Sequence, residues 1–348
     1  MKREISYAEA VAESTAIEMR RDKSVFVFGL DVDDHKAIQG STAGLLKEFG
    51  AGRVFGTPLS EDSMTGIAVG CAMNGMRPIH VHIRMDFTTL AMNQIINMAA
   101  KMHYTTGGKA SVPMVVRAMI GRSWGQGAQH SQALQSLFAH IPGLRVVMPS
   151  NPHDAKACLA AAVRDNNPVI FIEHRLLYSQ KGFVEKGEVV ATLGKGRVMT
   201  QGKDVTIVAT SHMVVEALRA ARILKENGIE AEVIDPIWIK PLDKDLIASS
   251  VQKTKHLLVV DNAWLTCGFS SEVITVMLET LGGGFKAKRI GFAETTCPTT
   301  RELENFFYPN PKTISLAAME LLGKDVSKAN FTNAESVSKE ATEFKGPF

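Results

Sequence analysis

The feature that most constrains this chain is a repeated alternation of short apolar runs with stretches of helical period. Ser24–Gly29 (SVFVFG), Arg53–Thr57, Pro78–Arg84, Val112–Ala118, Leu144–Met148 and Pro168–Glu173 read as strands. Residues 7–22, 62–74, 88–104 and 152–164 read as helices, with Gly75 ending the second. The stretch 31–52 is polar and reads as a loop with one short helix. A break rich in Gly and Lys follows over 179–203, and then a second alternating set begins with a strand at Asp204–Thr210 and a helix at Val214–Asn227. Further strands are expected at Glu232–Ile234, His256–Val260 and Lys288–Ala293. Buried parallel strands joined by helices are the economical way to hide such runs. The expected class is therefore α/β, with two doubly wound domains and mostly parallel sheets. The predicted boundaries are 1–185 for the first domain, 186–203 for a linker, 204–326 for the second domain and 327–348 for a polar tail.

A chain of 348 residues is long enough for two such cores. Its net charge is only +3, and its Lys and Arg are dispersed rather than run together, so neither nucleic acid nor an anionic membrane is expected as a partner. The N-terminus is charged and lacks an apolar secretory core, and no apolar stretch has the length of a membrane span. Cys71, Cys158, Cys267 and Cys297 form no CxxC and no zinc spacing, which leaves free thiols and fits a cytoplasmic setting.

Four segments hold residues able to do chemistry. In TPLSEDSMTGIAVGCAMNG (57–75), Glu61 stands at a strand-to-helix junction, with Ser60, Asp62 or Ser63 placed to cap. Gly66 and Gly70 share one face of that helix, which lets its backbone approach a neighbour closely. Glu61 is equally explained as an acid favoured by the helix dipole. GRSWGQGAQHSQ (121–132) is a Gly-rich loop after a strand; His130 in it either titrates near neutrality or is held structurally. Phe87 follows a strand and offers a ring to stack on a flat ligand, or else a core side chain. Asp165 and Asn167 in AVRDNNP (162–168) are able to ligate a hard cation or form a plain turn. GxGxxG and GxxxxGK[ST] are both absent, so no dinucleotide fold or P-loop is expected.

Taken in order, these segments resemble the beta subunits of two-oxoacid dehydrogenases of the pyruvate and acetoin type, and also the related half of transketolase. The resemblance runs from about residue 5 to about residue 320 and is best in RVFGTPLSEDSMTGIAVGCAMNGMRPI, in AQHSQALQSLFAHIPGLRVVMPSNPHDAKACLAAAVRDNNPVIF and in GKDVTIVAT. It implies a thiamine-pyrimidine-binding domain followed by a transketolase C-terminal-type domain. It places Glu61 on the glutamate that bonds the aminopyrimidine ring of thiamine diphosphate, Phe87 on or near the stacking aromatic, and His130 near the reacting carbon. Asp165 and Asn167 fall on a potassium site of some members. A carboxyl group on the pyrimidine ring nitrogen makes the exocyclic nitrogen an internal base, which is acid–base catalysis relayed through a cofactor. The family's GDG motif for diphosphate and Mg2+ is missing here. The resemblance therefore implies an alpha subunit carrying that site, a beta–beta pair within a heterotetramer, and a lipoyl carrier as acceptor. Many relatives carry Gly-Glu-Asp-Val where this chain has Gly29-Leu30-Asp31-Val32, and often Glu on the strand before Phe87 where it has Val81, so acids near the cofactor region are removed. Arg122, Trp124 and Gln129 fall on the substrate side, with Arg122 able to bind a carboxylate or phosphate. Two alternatives remain in view: a transketolase-like transferase acting on an aldehyde, ketone or sugar, and a non-catalytic scaffold subunit.

Overall fold

The computed structural model describes residues 3–34, 36–122 and 125–331. Two compact units emerge. The first combines the chain up to Gly121 with Leu137–Leu193, and the second combines Arg122–Ser136 with the described residues from Gly194 onward.

In the first unit, six strands lie parallel: β1 (Val25–Gly29), β2 (Val54–Gly56), β3 (Arg77–His82), β4 (Val115–Ile120), β5 (Arg145–Val147) and β6 (Val169–His174). Their order across the sheet is β5-β6-β4-β3-β1-β2. β1, β4 and β6 are buried along their whole length, as their largely apolar runs require when helices cover both faces. Helix α1 (Tyr7–Arg21) opens on a capping box in which Ser6 and Glu9 bond each other's backbone. It packs on α3 (Pro152–Arg164), with Ser14 Oγ donating to the Lys156 carbonyl at 2.8 Å. Helix α2 (Glu61–Met73) follows β2.

The expected helix over 88–104 is not one helix. It divides into a 3-10 turn at Met85–Ala91, a π turn at Asn93–Ala99 and a short α turn at Met102–Thr105. Thr88 and Thr89 donate their hydroxyls three residues back, to the carbonyls of Met85 (2.6 Å) and Asp86 (2.7 Å), which tightens the first turn. The Ala100 N–H reaches back to Ile95, which widens the second.

The second unit has the order β11-β10-β8-β9-β7, built from β7 (Arg197–Thr200), β8 (Val205–Ala209), β9 (Ala231–Asp235), β10 (His256–Trp264) and β11 (Lys286–Phe292). All are parallel except β7, which pairs antiparallel with β9. Residues 197–200 were expected in the link and instead form this edge strand; its partly exposed side chains carry no apolar run for a sequence reading to catch. Helices α4 (His212–Glu226) and α7 (Pro311–Leu321) pack together over a core that includes Ile207, Val233, Leu258, Ala217 and Ile314. Burying side chains of this kind contributes roughly 1.5–3 kcal/mol each. No described helix is long and apolar enough to cross a membrane. All four cysteines are free.

Candidate active site

In the first unit the chain leaves β1 toward β2 on one side and leaves β3 toward β4 on the other. The crevice at the carboxyl ends of β1 and β3 is thus a topological switch point, where open α/β sheets take ligands. Gly29 ends β1 there with φ +149, and a Cβ on it would lie 2.3 Å from the Val81 carbonyl oxygen. Only glycine lets these two strands run so close.

Phe87 sits in the 3-10 turn just beyond β3 and is half-buried. Glu61 is the first residue of α2, also half-buried, and α2 packs directly on that turn. Ser60 stands at the N-cap without a side-chain bond to the helix, so the first-turn N–H groups are not closed off by a capping side chain. Gly66 comes within 3.4 Å of the Gln94 side chain for a built Cβ, whereas Gly70 meets nothing within 4 Å. The structure therefore brings Glu61 and Phe87 onto packed elements at one end of the first unit's sheet.

A buried histidine pair lies beneath them and went unread in the sequence, although the alternation HVH puts His80 and His82 on one face of β3. His80 stacks on Phe28 at 4.5 Å and meets His82 edge-on at 4.3 Å. His80 Nδ1 lies 3.4 Å from the Phe28 carbonyl oxygen, and His82 Nε2 lies 3.5 Å from Thr65 Oγ1, one turn below Glu61 on α2. Burial pushes His80 down to about 4 from 6.5, and burial and His80 together push His82 well down. A histidine depressed in the fold binds its proton more readily when unfolded. Stability should thus fall as pH drops from 6.5 toward 4, by about 3 kcal/mol for His80 alone. His80→Asn should flatten that part of a denaturation-versus-pH curve, and an unchanged slope would contradict it.

His130 belongs to the second unit, in a segment held at both ends. At one end, Arg122 Nη1 donates to Asn305 Oδ1 at 3.3 Å and its guanidinium covers the Tyr308 ring at 5.0 Å. At the other, Gln135 Nε2 donates to Asp261 Oδ1 at 3.1 Å, while Asp261 Oδ2 accepts from the Ser270 N–H at 2.8 Å, in the first turn of α6 (Phe269–Leu281). Between them, Gly125 and Gly127 press on Thr299 so closely that built Cβ atoms would lie 2.5 and 2.7 Å away. His130 is half-buried and Gln129 exposed; Trp124 lies outside the described residues.

Asp261 is fully buried, and burial pushes its carboxyl up to about 6 from 3.8. An acid raised in the fold adds stability as pH falls through its folded value. Asp261→Asn should therefore be the more stable protein above pH 6 and lose that advantage near pH 3.8. The Gln135 amide, whose Oε1 has no partner, is free to turn and accept the new N–H. Thermal melts across pH check this, and a variant less stable than wild type at pH 8 would refute it.

The expected cation site is not supported. Arg77 Nη1 donates to the carbonyls of Val163 (2.9 Å) and Asp165 (3.0 Å), and Nη2 donates to Asn166 Oδ1 at 2.7 Å. Asp165 accepts from the Asn167 backbone and side chain at 2.8 Å each and pairs with Arg145 at 2.5 Å. Asp165 is thus engaged by two arginines and by an Asx turn with Asn167. No group of three or more His, Cys, Asp or Glu suited to a metal occurs among the described residues.

Comparison with known proteins divides the chain nearly as the two units do, except that Arg122–Ser136 falls within the first match. Residues 3–181 match the transketolase pyrimidine-binding domain family and residues 194–314 match the transketolase C-terminal domain family. The chain is 40% identical over 341 residues to the beta subunit of acetoin:2,6-dichlorophenolindophenol oxidoreductase of Bacillus subtilis, covering 93% of this chain and 99% of that one. It is 36% identical over 326 residues to the human mitochondrial pyruvate dehydrogenase E1 component subunit beta, covering 92% and 91%. Among solved structures, a split-gene transketolase, described as an inactive beta4 tetramer, superposes with a TM-score of 0.74 at 23% identity, covering 92% of this chain and 98% of that one.

Proposed function

Because the chain belongs to the family of acetoin and pyruvate dehydrogenase beta subunits, built from a transketolase pyrimidine-binding domain and a transketolase C-terminal domain, we propose that it is the beta-type subunit of a heteromeric thiamine-diphosphate enzyme. The complete enzyme decarboxylates a 2-oxoacid and passes the acyl unit to a lipoyl carrier. The observation that carries this reading is the placement of Glu61 on the first turn of α2, packed on the turn that bears Phe87, beside the switch-point crevice.

These residues fit the pyrimidine end of the cofactor. Phe87 offers a half-buried ring face, Gly29 lets β1 and β3 run close together at the crevice, and Glu61 offers a carboxyl group that is neither sealed nor fully exposed. Bound thiamine diphosphate supplies a carbon nucleophile and an electron sink for loss of CO2. Glu61 holds and returns a proton at the aminopyrimidine ring nitrogen, which is general acid–base work. Phe87 keeps the ring plane fixed. His130 donates a hydrogen bond to the substrate carboxylate or to the oxyanion that develops from its carbonyl. The Mg2+ and diphosphate belong with an alpha chain. Exposed apolar side chains on and just before α2 suit such a partner: Leu59 is 78% exposed, Ile67 50% and Met73 41%.

Reconstitution with the alpha subunit tests the reading. CO2 release from a 2-oxoacid with acylation of a lipoyl acceptor is expected. Two-carbon transfer between sugars without a lipoyl acceptor would replace it with the transferase reading, and inactivity of a correctly assembled pair would leave a scaffold.

A further inference from the structure

Several guanidinium groups in this fold are matched by several oxygens. Arg117 meets both oxygens of Glu173, Arg164 both oxygens of Glu18, and Arg53 the carbonyls of Met19, Asp22 and Val25. Arg122 is different. It is 5% exposed, yet among the described residues its one hydrogen bond goes to the neutral amide oxygen of Asn305, and its face lies on Tyr308. No carboxylate of the described residues stands within the 4.0 Å of an ion pair. Glu304 is near enough to push the Tyr308 hydroxyl and the Cys297 thiol up, but it leaves the Arg122 donors unused. A guanidinium carries five N–H donors, and a buried charge without its counterpart is costly. Among the described residues, no Arg122 nitrogen is both sealed and unpartnered.

The position of this charge ties it to His130. Cys297 Sγ lies 3.5 Å from Tyr308 Oη, and Ser131, the neighbour of His130, stands near enough to the same thiol to oppose the rise that burial causes. We propose that Arg122 is the anion-binding residue of a subsite beside the His130 loop, taking a carboxylate or phosphate oxyanion of the substrate. Asn305 fixes one edge of the guanidinium and Tyr308 one face, so the remaining edge is presented for a two-pronged contact. The assignment rests on reading His130 as a substrate-side residue. It names the class of substrate: one with an anionic group to spare for Arg122.

The test is calorimetric titration of the assembled alpha–beta complex with succinate and with inorganic phosphate, using acetoin as the neutral control. Wild type should bind one anion or both, and which of them binds decides between a carboxylate and a phosphate substrate. Arg122→Gln should weaken that binding by at least roughly ten-fold, the scale of one charge-assisted contact, with thiamine diphosphate affinity unchanged. Asn305→Asp puts a carboxylate on the guanidinium within the protein. It should leave the melting temperature equal or higher and still lose the anion, an outcome that a purely structural Arg122 would not give. Anion binding undiminished in either folded variant, or no binding of either anion by wild type, overturns the proposal. A complex that binds the anions but neither takes up thiamine diphosphate nor turns over contradicts instead the enzymatic reading above.

Discussion

Replacing Glu61 with Ala should lower turnover of the reconstituted enzyme by roughly 100- to 10,000-fold, the range over which a positioned acid–base group contributes, while the fold stands. Glu61 opens α2 half-buried, and among the described residues its side chain makes no ion pair or hydrogen bond. What the fold loses is an acid near a helix N-terminus, roughly 0.3–1 kcal/mol. Glu61→Gln keeps shape and hydrogen-bonding reach but cannot cycle a proton, so it should be nearly as inactive. Turnover and melting temperature measured on the same samples separate the readings. An inactive variant with wild-type melting supports the catalytic role. An active variant with a lowered melting temperature would mean that Glu61 only caps a helix.

The largest effect on stability is expected at Glu173. Arg117 on β4 and Glu173 on β6 are both fully buried, joined by contacts of 2.6 and 2.9 Å. Ser41 accepts from Arg117 at 2.9 Å and Tyr178 donates to Glu173 at 2.9 Å, with Tyr7 stacked on Tyr178. The carboxylate holds the Arg117 guanidinium well above its ordinary range, and burial with the Glu173 charge pushes both tyrosine hydroxyls up. Glu173→Ala strands a cation among apolar strands and should cost about 3–5 kcal/mol. Replacing both residues, Arg117→Leu with Glu173→Leu, should cost much less than the sum of the single changes, because no charge is left alone. Denaturant unfolding of the four proteins reads the coupling, with the first unit's transition followed separately since two units need not unfold together. Additive losses would show the pair to be unimportant.

The strand frame of both units is written in the sequence, because a buried parallel strand needs an apolar run and each helix between strands needs a stripe. Glu61 and Phe87 stood out because they follow such runs, and it is the family resemblance that implies their roles at a cofactor. What escaped was whatever periodicity does not encode. The turn over 85–105 changes pitch through threonine hydroxyls and a five-residue backbone bond, and both patterns keep the same apolar spacing as an α-helix. Arg77 is distant in sequence from the 163–166 carbonyls it occupies, so the supposed cation turn looked vacant. Arg117 in VVRAMI and Glu173 in VIFIEH did leave a trace: single opposite charges inside otherwise apolar runs. So did HVH in β3. Arg122 showed its residue type in the sequence, but its burial against Asn305 and Tyr308, almost two hundred residues on, appears only in the folded chain.

The central claim is that this chain supplies the activating carboxylate and the pyrimidine side of a cofactor site whose diphosphate side lies on another chain. Calorimetric titration of thiamine diphosphate with Mg2+ tests it most directly, first into this chain alone and then into its mixture with the alpha subunit. Tight binding only in the mixture is the predicted result. Tight binding to this chain alone would place the whole site here and contradict the account.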